Sequence, residues 1–306
     1  MHGRTSIFAL ALALGSGCSN DFSPYSKLDR LRILAVRAEP PTPMPGQDCE
    51  LTALTFAPGG APISYHWAFC PVTASAKEDY RCPLPEASAQ QILGGSPAYD
   101  LGTGDATRFT NGLSVDLLAG TCASGIDLPG FTQAVDCDPG FPVTVVLDAA
   151  TETDALRAGF TMRLPASTPP ELNANPIVTG LMLAGQPLPE DAAAITVKEG
   201  ATLDWSTELS DDSIETRPIP ASEGGNGQRR ERLTFSWFAD AGRIDQDRTV
   251  YIEGNTTIEQ ATRNRWTAPA AAEWPASGTA HLSVVVRDDR GGVGWLSRSI
   301  SLGREP

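Results

Sequence analysis

Histidine is nearly absent from this chain: His2, His66 and His281 are the only ones among 306 residues. Catalysis by imidazole, as a general base or beside a nucleophile, has almost nothing to work with. Signatures of other common chemistries are also missing, with no His-Glu-x-x-His, no Gly-x-Ser-x-Gly and no phosphate loop. Basic residues are in deficit, 23 Lys+Arg against 37 Asp+Glu. That balance argues against nucleic acid as a partner, because phosphate neutralisation needs clustered cations. No apolar run reaches the roughly 20 residues of a membrane-spanning helix. Cysteine does not occur after Cys137, and the Cys-x-x-Cys spacing of zinc sites occurs nowhere. Helical periodicity is scarce, with Glu86–Leu93 and Thr153–Arg157 as short candidates.

Glycine and proline are plentiful, 29 and 25 residues, which suits an all-β chain of short strands joined by turns. One strand pattern occurs twice. Residues 63–69 read Ile-Ser-Tyr-His-Trp-Ala-Phe and residues 233–239 read Leu-Thr-Phe-Ser-Trp-Phe-Ala. Both alternate with period 2, so Tyr65 and Trp67 share one face, as do Phe235 and Trp237. By the same alternation His66 and His281 are expected to face solvent. A Trp at this place resembles the buried Trp on strand C of immunoglobulin-like sandwiches. Each half also closes with a hairpin, Val143–Leu147 with Gly159–Leu164 and Ala280–Val286 with Val293–Leu302. The expected organisation is therefore two tandem immunoglobulin-like β-sandwich domains, residues 28–165 and 174–304, joined by a Pro-rich linker at 166–173. The first carries a cysteine-containing insertion at 71–140.

The amino terminus holds Arg4, the apolar run Ile7–Leu14, then Gly15-Ser16-Gly17 before Cys18. At eight residues the apolar run is too short to span a bilayer and reads as a signal peptide, residues 1–17. It resembles the signal peptides of bacterial lipoproteins. That resemblance implies that Cys18 is diacylated, becomes the mature amino terminus and tethers the chain to a membrane through residues 18–27. Cleavage after Gly15 instead leaves Cys18 unlipidated, and the protein is then secreted or periplasmic.

Export makes disulfides the expected state of the remaining cysteines. Cys70 with Cys82 and Cys122 with Cys137 would close loops of about a dozen residues, each worth roughly 3 kcal/mol. This is one of about 15 arrangements of five cysteines with one left over. Cys49 is the candidate free thiol, buried as an apolar residue.

Val36-Arg-Ala-Glu-Pro-Pro41, Tyr65-His-Trp67, Trp266-Thr-Ala-Pro269 and Arg287-Asp-Asp-Arg-Gly-Gly292 resemble predicted bacterial surface lipoproteins with tandem immunoglobulin-like domains of the polycystic-kidney-disease and cadherin type. The resemblance implies fold and location: a cell-envelope protein, lipid-anchored in the outer membrane, with no cofactor. Three functions follow as expectations. The first is a non-enzymatic surface module that binds a protein or glycan through loops at the sandwich ends. The second is a carboxylate-dependent envelope hydrolase using the 71–140 insertion, which needs two acids across a cleft. The third is a structural spacer without ligand. Calcium is a minor candidate partner, through Glu171-Leu-Asn173-Ala-Asn175-Pro176, which resembles the acidic linker between cadherin repeats, or elsewhere through Asp288 and Asp289. Trp274 is expected at the core edge, with an exposed aromatic platform as the alternative.

Overall fold

The two repeated Trp strands each sit at the centre of a sandwich. The computed structural model describes residues 23–84, 100–128, 131–138, 140–167, 172–190, 196–219 and 224–302. The first sandwich is built from β1 (Arg32–Glu39), β2 (Asp48–Phe56), β3 (Ser64–Cys70), β4 (Asp100–Thr103) and β5 (Ala106–Thr110), then α1 (Val115–Ser124), β6 (Ile126–Leu128), β7 (Phe131–Gln133), β8 (Phe141–Ala150) and β9 (Ala155–Leu164). Its sheets are β1-β2-β5 and β4-β3-β8-β9, with β6-β7 as a separate hairpin. Trp67 on β3 is fully buried, and its indole N–H donates to Gly104 O at 2.7 Å. Phe69, Phe109, Phe141, Leu51 and Leu147 complete this core.

The second sandwich contains β10 (Val178–Leu183), β11 (Gln186–Pro187), β12 (Thr196–Val197), β13 (Thr202–Leu209), β14 (Thr216–Pro218), β15 (Gln228–Arg230), β16 (Leu233–Ala239), β17 (Arg243–Ile244), β18 (Arg248–Tyr251), α2 (Ile258–Ala261), β19 (Arg263–Thr267), β20 (Thr279–Arg287) and β21 (Val293–Leu302). Its sheets are β11-β10-β13-β19-β17 and β12-β21-β20-β16-β18, with β14-β15 alongside. β12 joins β21 in parallel; the other pairings are antiparallel. Trp205 and Trp237 meet edge to face at 4.8 Å between ring centres, an arrangement that the ring quadrupoles favour. Trp266 is buried beside them and donates to Ala241 O at 2.9 Å. Trp274 packs against this core with its indole N–H on Pro269 O, so it lies at the core edge and offers no platform.

The cysteines pair as Cys70–Cys82 and Cys122–Cys137. Cys49 is a free, buried thiol whose pKa burial pushes up to about 12, which leaves it inert as a nucleophile.

Four expectations need correction. Thr153–Arg157 is not helical. Thr151 Oγ1 accepts from Asp154 N at 3.1 Å to form a hairpin turn, and β9 starts at Ala155 opposite Ala150. Cross-strand pairing along ten residues outweighs a weak local pattern. A helix was missed at Val115–Ser124, although Ser114 caps its start by accepting from Leu117 N and Gly125 closes its end. The segment 71–140 is not all insertion, because β4 and β5 inside it extend one strand each onto the two sheets. The fourth concerns the tether. Residues 25–28 pair with the second sandwich, Leu28 N donating to Ala239 O at 2.8 Å and Ala239 N to Ser26 O at 2.9 Å. Ser26 and Leu28 are buried there. The candidate helix Glu86–Leu93 lies outside the described residues.

The sandwiches pack side against side. β1 lies on the outer face of the β21-β20-β16 layer, where Leu34 and Ala35 meet Phe238, Val285 and Val293 in a small core of their own. Truncating Trp237 to alanine is expected to cost about 3–5 kcal/mol, read as a lower denaturant midpoint. Removing the second bridge by Cys122→Ala with Cys137→Ala should cost roughly 3 kcal/mol. Stability unchanged in either variant would contradict the packing described.

Candidate functional site

Two features gather polar groups: a cleft in the first sandwich and the joint between the two. The cleft, about 250 Å³, lies between the β7–β8 connection and the end of β9. Val72, Ile126 and Phe141 form its apolar wall, and Gln133, Asp136, Thr161 and Arg163 its polar one. The Cys122–Cys137 bridge ties α1 to this wall. Arg163 Nη1 donates to Asp136 O at 2.7 Å and to Gly140 O at 2.9 Å, so part of the guanidinium serves to hold the wall. Asp136 is the only acid among the described lining residues. The second carboxylate that a glycosidase-type mechanism requires is not among them.

His66 and His281, the histidines among the described residues, each lie half exposed on an outer sheet face beside carboxylates. His66 is 3.4 Å from Asp100 and 3.7 Å from Asp148. Asp148 itself is bonded to Arg157 at 2.6 and 2.8 Å, which holds its carboxyl below the usual range. His281 Nδ1 sits 2.6 Å from Asp240 Oδ2, and this hydrogen bond raises the imidazole pKa. Among the described residues neither ring is hydrogen-bonded to a hydroxyl or thiol, so no activated nucleophile is assembled.

The joint holds the most heavily buried charges. The β20–β21 turn carries Arg290, whose side chain is 7% exposed. Its guanidinium donates to Glu231, to Glu215 and, at 2.7 Å, to Leu172 O in the linker. Asp288 Oδ1 accepts from the backbone N–H of Arg290 and of Gly292, both at 2.8 Å, which shapes the turn. Beside it Arg217 donates to Asp289 at 3.0 Å. Asn175 joins both sandwiches: its Nδ2 donates to Ala38 O at 2.7 Å and its Oδ1 accepts from Val293 N at 2.8 Å. Gly294 allows this approach, since a Cβ there would sit 1.9 Å from Pro176 O.

The fragments considered for calcium do converge here. Asn173 Nδ2 donates to Asp288 Oδ2 at 3.0 Å, while Glu171 lies outside the described residues. The positive charge among these acids is the Arg290 guanidinium, which engages the nearby Glu215 and Glu231 carboxylates. No group of three or more His, Cys, Asp or Glu with a metal-binding arrangement occurs among the described residues. The sequence had singled out the Arg287–Gly292 loop, but Glu215 and Glu231, its partners from distant strands, carried no local signal.

Burial and the neighbouring Asp288 push the Glu231 carboxyl up to about 7, against the pull of Arg290. The folded state therefore holds a proton more tightly than the unfolded chain between about pH 4.5 and 7. Stability from this group is fully present below that window and is lost as pH rises through it. His281, raised in the fold, acts with the same sign from about pH 6.5 upward. The unfolding midpoint is expected to fall between pH 5 and 8. Glu231→Gln should flatten the acidic part of that fall. Removing Arg290 leaves Glu231 unpaired, so Arg290→Ala is expected to cost about 3–5 kcal/mol at neutral pH. A pH-independent midpoint, or an Arg290→Ala protein of full stability, would contradict this account.

No family model matches the chain, and no curated protein matches it. Among solved structures the chain is similar to murine CEACAM1b, at 10% identity and TM-score 0.21, covering 88% of this chain and 98% of that one. It is also similar to three amino-terminal domains of the bacteriophage RB49 highly immunogenic outer capsid protein, at 11% identity and TM-score 0.23, covering 90% of this chain and 71% of that one. The Yersinia pseudotuberculosis adhesin InvE is similar at 9% identity and TM-score 0.21, covering 87% of this chain and 58% of that one. Likeness at this level carries no argument, and the assignment of an all-β, immunoglobulin-like sandwich rests on the chain's own strand order and buried tryptophans.

Proposed function

We propose that this protein is a non-enzymatic envelope lipoprotein, held by a lipid on Cys18 in an outer membrane, whose joined sandwiches form a surface binding or structural module for a protein or glycan. The observation that supports this most is the use made of its buried polar groups. Arg290 with Glu231 and Glu215, and Arg217 with Asp289, are ion-paired within the second sandwich, Arg290 also holds the linker at Leu172 O, and Asn175 bonds both sandwiches. Such a body presents its end loops in a constant relation, which suits recognition or spacing better than turnover. No helix among the described residues is long and apolar enough to cross a membrane, so on this reading attachment falls to the lipid.

The intact mass of the protein from the membrane fraction, before and after reduction and alkylation, tests the reading. A diacylated chain starting at Cys18, with two disulfides and one alkylatable thiol, is expected. A lipid-free chain starting near Ser16 would overturn the anchor and make the protein periplasmic or secreted.

A further inference from the structure

Charge is unevenly distributed in this protein. Within residues 23–37, Lys27, Arg30, Arg32 and Arg37 stand against a single acid, Asp29, whereas residues 38–306 carry 18 Lys+Arg against 35 Asp+Glu. The fold concentrates the basic end further. Arg248, on β18 of the second sandwich, places its guanidinium 4.5 Å from the centre of the Tyr25 ring. Arg32 reaches back to Lys27 O at 3.3 Å. Tyr25, Lys27, Arg30 and Arg248 are all exposed, and the Tyr25 ring is braced from beneath by Phe238 at 5.3 Å. The local carboxylate, Asp29, is engaged by the Ser23 hydroxyl at 2.5 Å.

An exposed aromatic ring set among cations is the chemistry of a membrane interface. Tyrosine settles at headgroup level, and basic clusters are drawn to anionic lipid. Tyr25 lies seven residue steps from Cys18, a reach of at most about 25 Å. The ring and its cations are not on a free tether, because residues 26–28 are bonded to the edge of β16.

We infer that the surface formed by Tyr25, Lys27, Arg30, Arg32 and Arg248 docks on anionic phospholipid headgroups, so that the protein lies against the bilayer along the seam of its two sandwiches. The position of the acyl chains rests on the lipoprotein reading above; the headgroup contact does not. The acidic remainder is repelled from the same surface, which orients the molecule.

The test uses the full mature chain carrying Cys18→Ser, sedimented with vesicles of phosphatidylcholine alone or with about one third phosphatidylglycerol. Partition is expected to be roughly tenfold stronger on the anionic vesicles and to vanish in high salt. Lys27→Glu with Arg30→Glu should weaken it by about tenfold or more. Both side chains are exposed, and the unfolding midpoint shows whether that variant is folded. Lys27→Gln with Arg30→Gln supplies a milder second variant with an intermediate loss expected. Equal partition on the two lipids, or binding indifferent to both substitutions, would overturn the inference. The mass of the native chain reports the lipid separately: a lipid-free protein that still prefers anionic vesicles sinks the anchor and leaves the docking surface standing.

Discussion

The outer face of the β12-β21-β20-β16-β18 layer is apolar where a sandwich normally meets water, and the arrangement of the whole molecule depends on covering it. Phe238, Val285 and Val293 would expose oily surface if the second sandwich stood alone; here they are 1%, 0% and 7% exposed. Burying a side chain of this size is worth about 1.5–3 kcal/mol, so the seam is a substantial share of a stability that totals only about 5–15 kcal/mol. β1 and residues 25–28 supply the cover. Further along the joint, a pocket of about 30 Å³ lies between Phe160 and the Arg290–Gly291 turn, room for little more than a water molecule.

Apolar contact is non-directional and would tolerate sliding of β1 along the sheet. Directional bonds at both ends remove that freedom. At one end Ala239 accepts from Leu28 N and donates to Ser26 O; at the other Asn175 ties Ala38 to Val293, and Arg287 donates to Leu34 O between them. The Arg290 cluster then fixes the linker against the β20–β21 turn. Buried ion pairs of this kind add little net stability because desolvation offsets attraction. Their effect here is on geometry, since the linker is held by directional bonds: Arg290 donates to Leu172 O, Asn173 Nδ2 to Asp288 and Ala174 N to Glu215.

That division of labour bears on function. On the proposed function, a chain poor in histidine whose two sandwiches are joined by directional bonds serves to present surfaces. Its basic, aromatic-bearing face and its acidic remainder give it a built-in orientation toward a charged boundary. The two disulfides cross-link the first sandwich at the end of β3 and between α1 and the segment before β8, and the second packs around the fully buried rings of Trp205, Phe235, Trp237 and Trp266.

Sequence alone determined what local periodicity and composition can carry. The alternation around Trp67 and Trp237 specifies half-buried strands because side chains on a strand reach opposite faces. The run Asp288-Asp-Arg-Gly-Gly292 specifies a tight hairpin. The short spacings of Cys70 with Cys82 and of Cys122 with Cys137 offered one pairing among about 15, which the fold then settled. Tertiary structure alone decided the rest, because the deciding partners are remote. Arg290 meets Glu215 and Glu231 from 75 and 59 residues away. Phe238 looks on its strand like an apolar residue on the wet face, until β1 arrives from 200 residues earlier. Residues 25–28 read as a tether because nothing near them in sequence could reveal that Ala239 offers them a free strand edge.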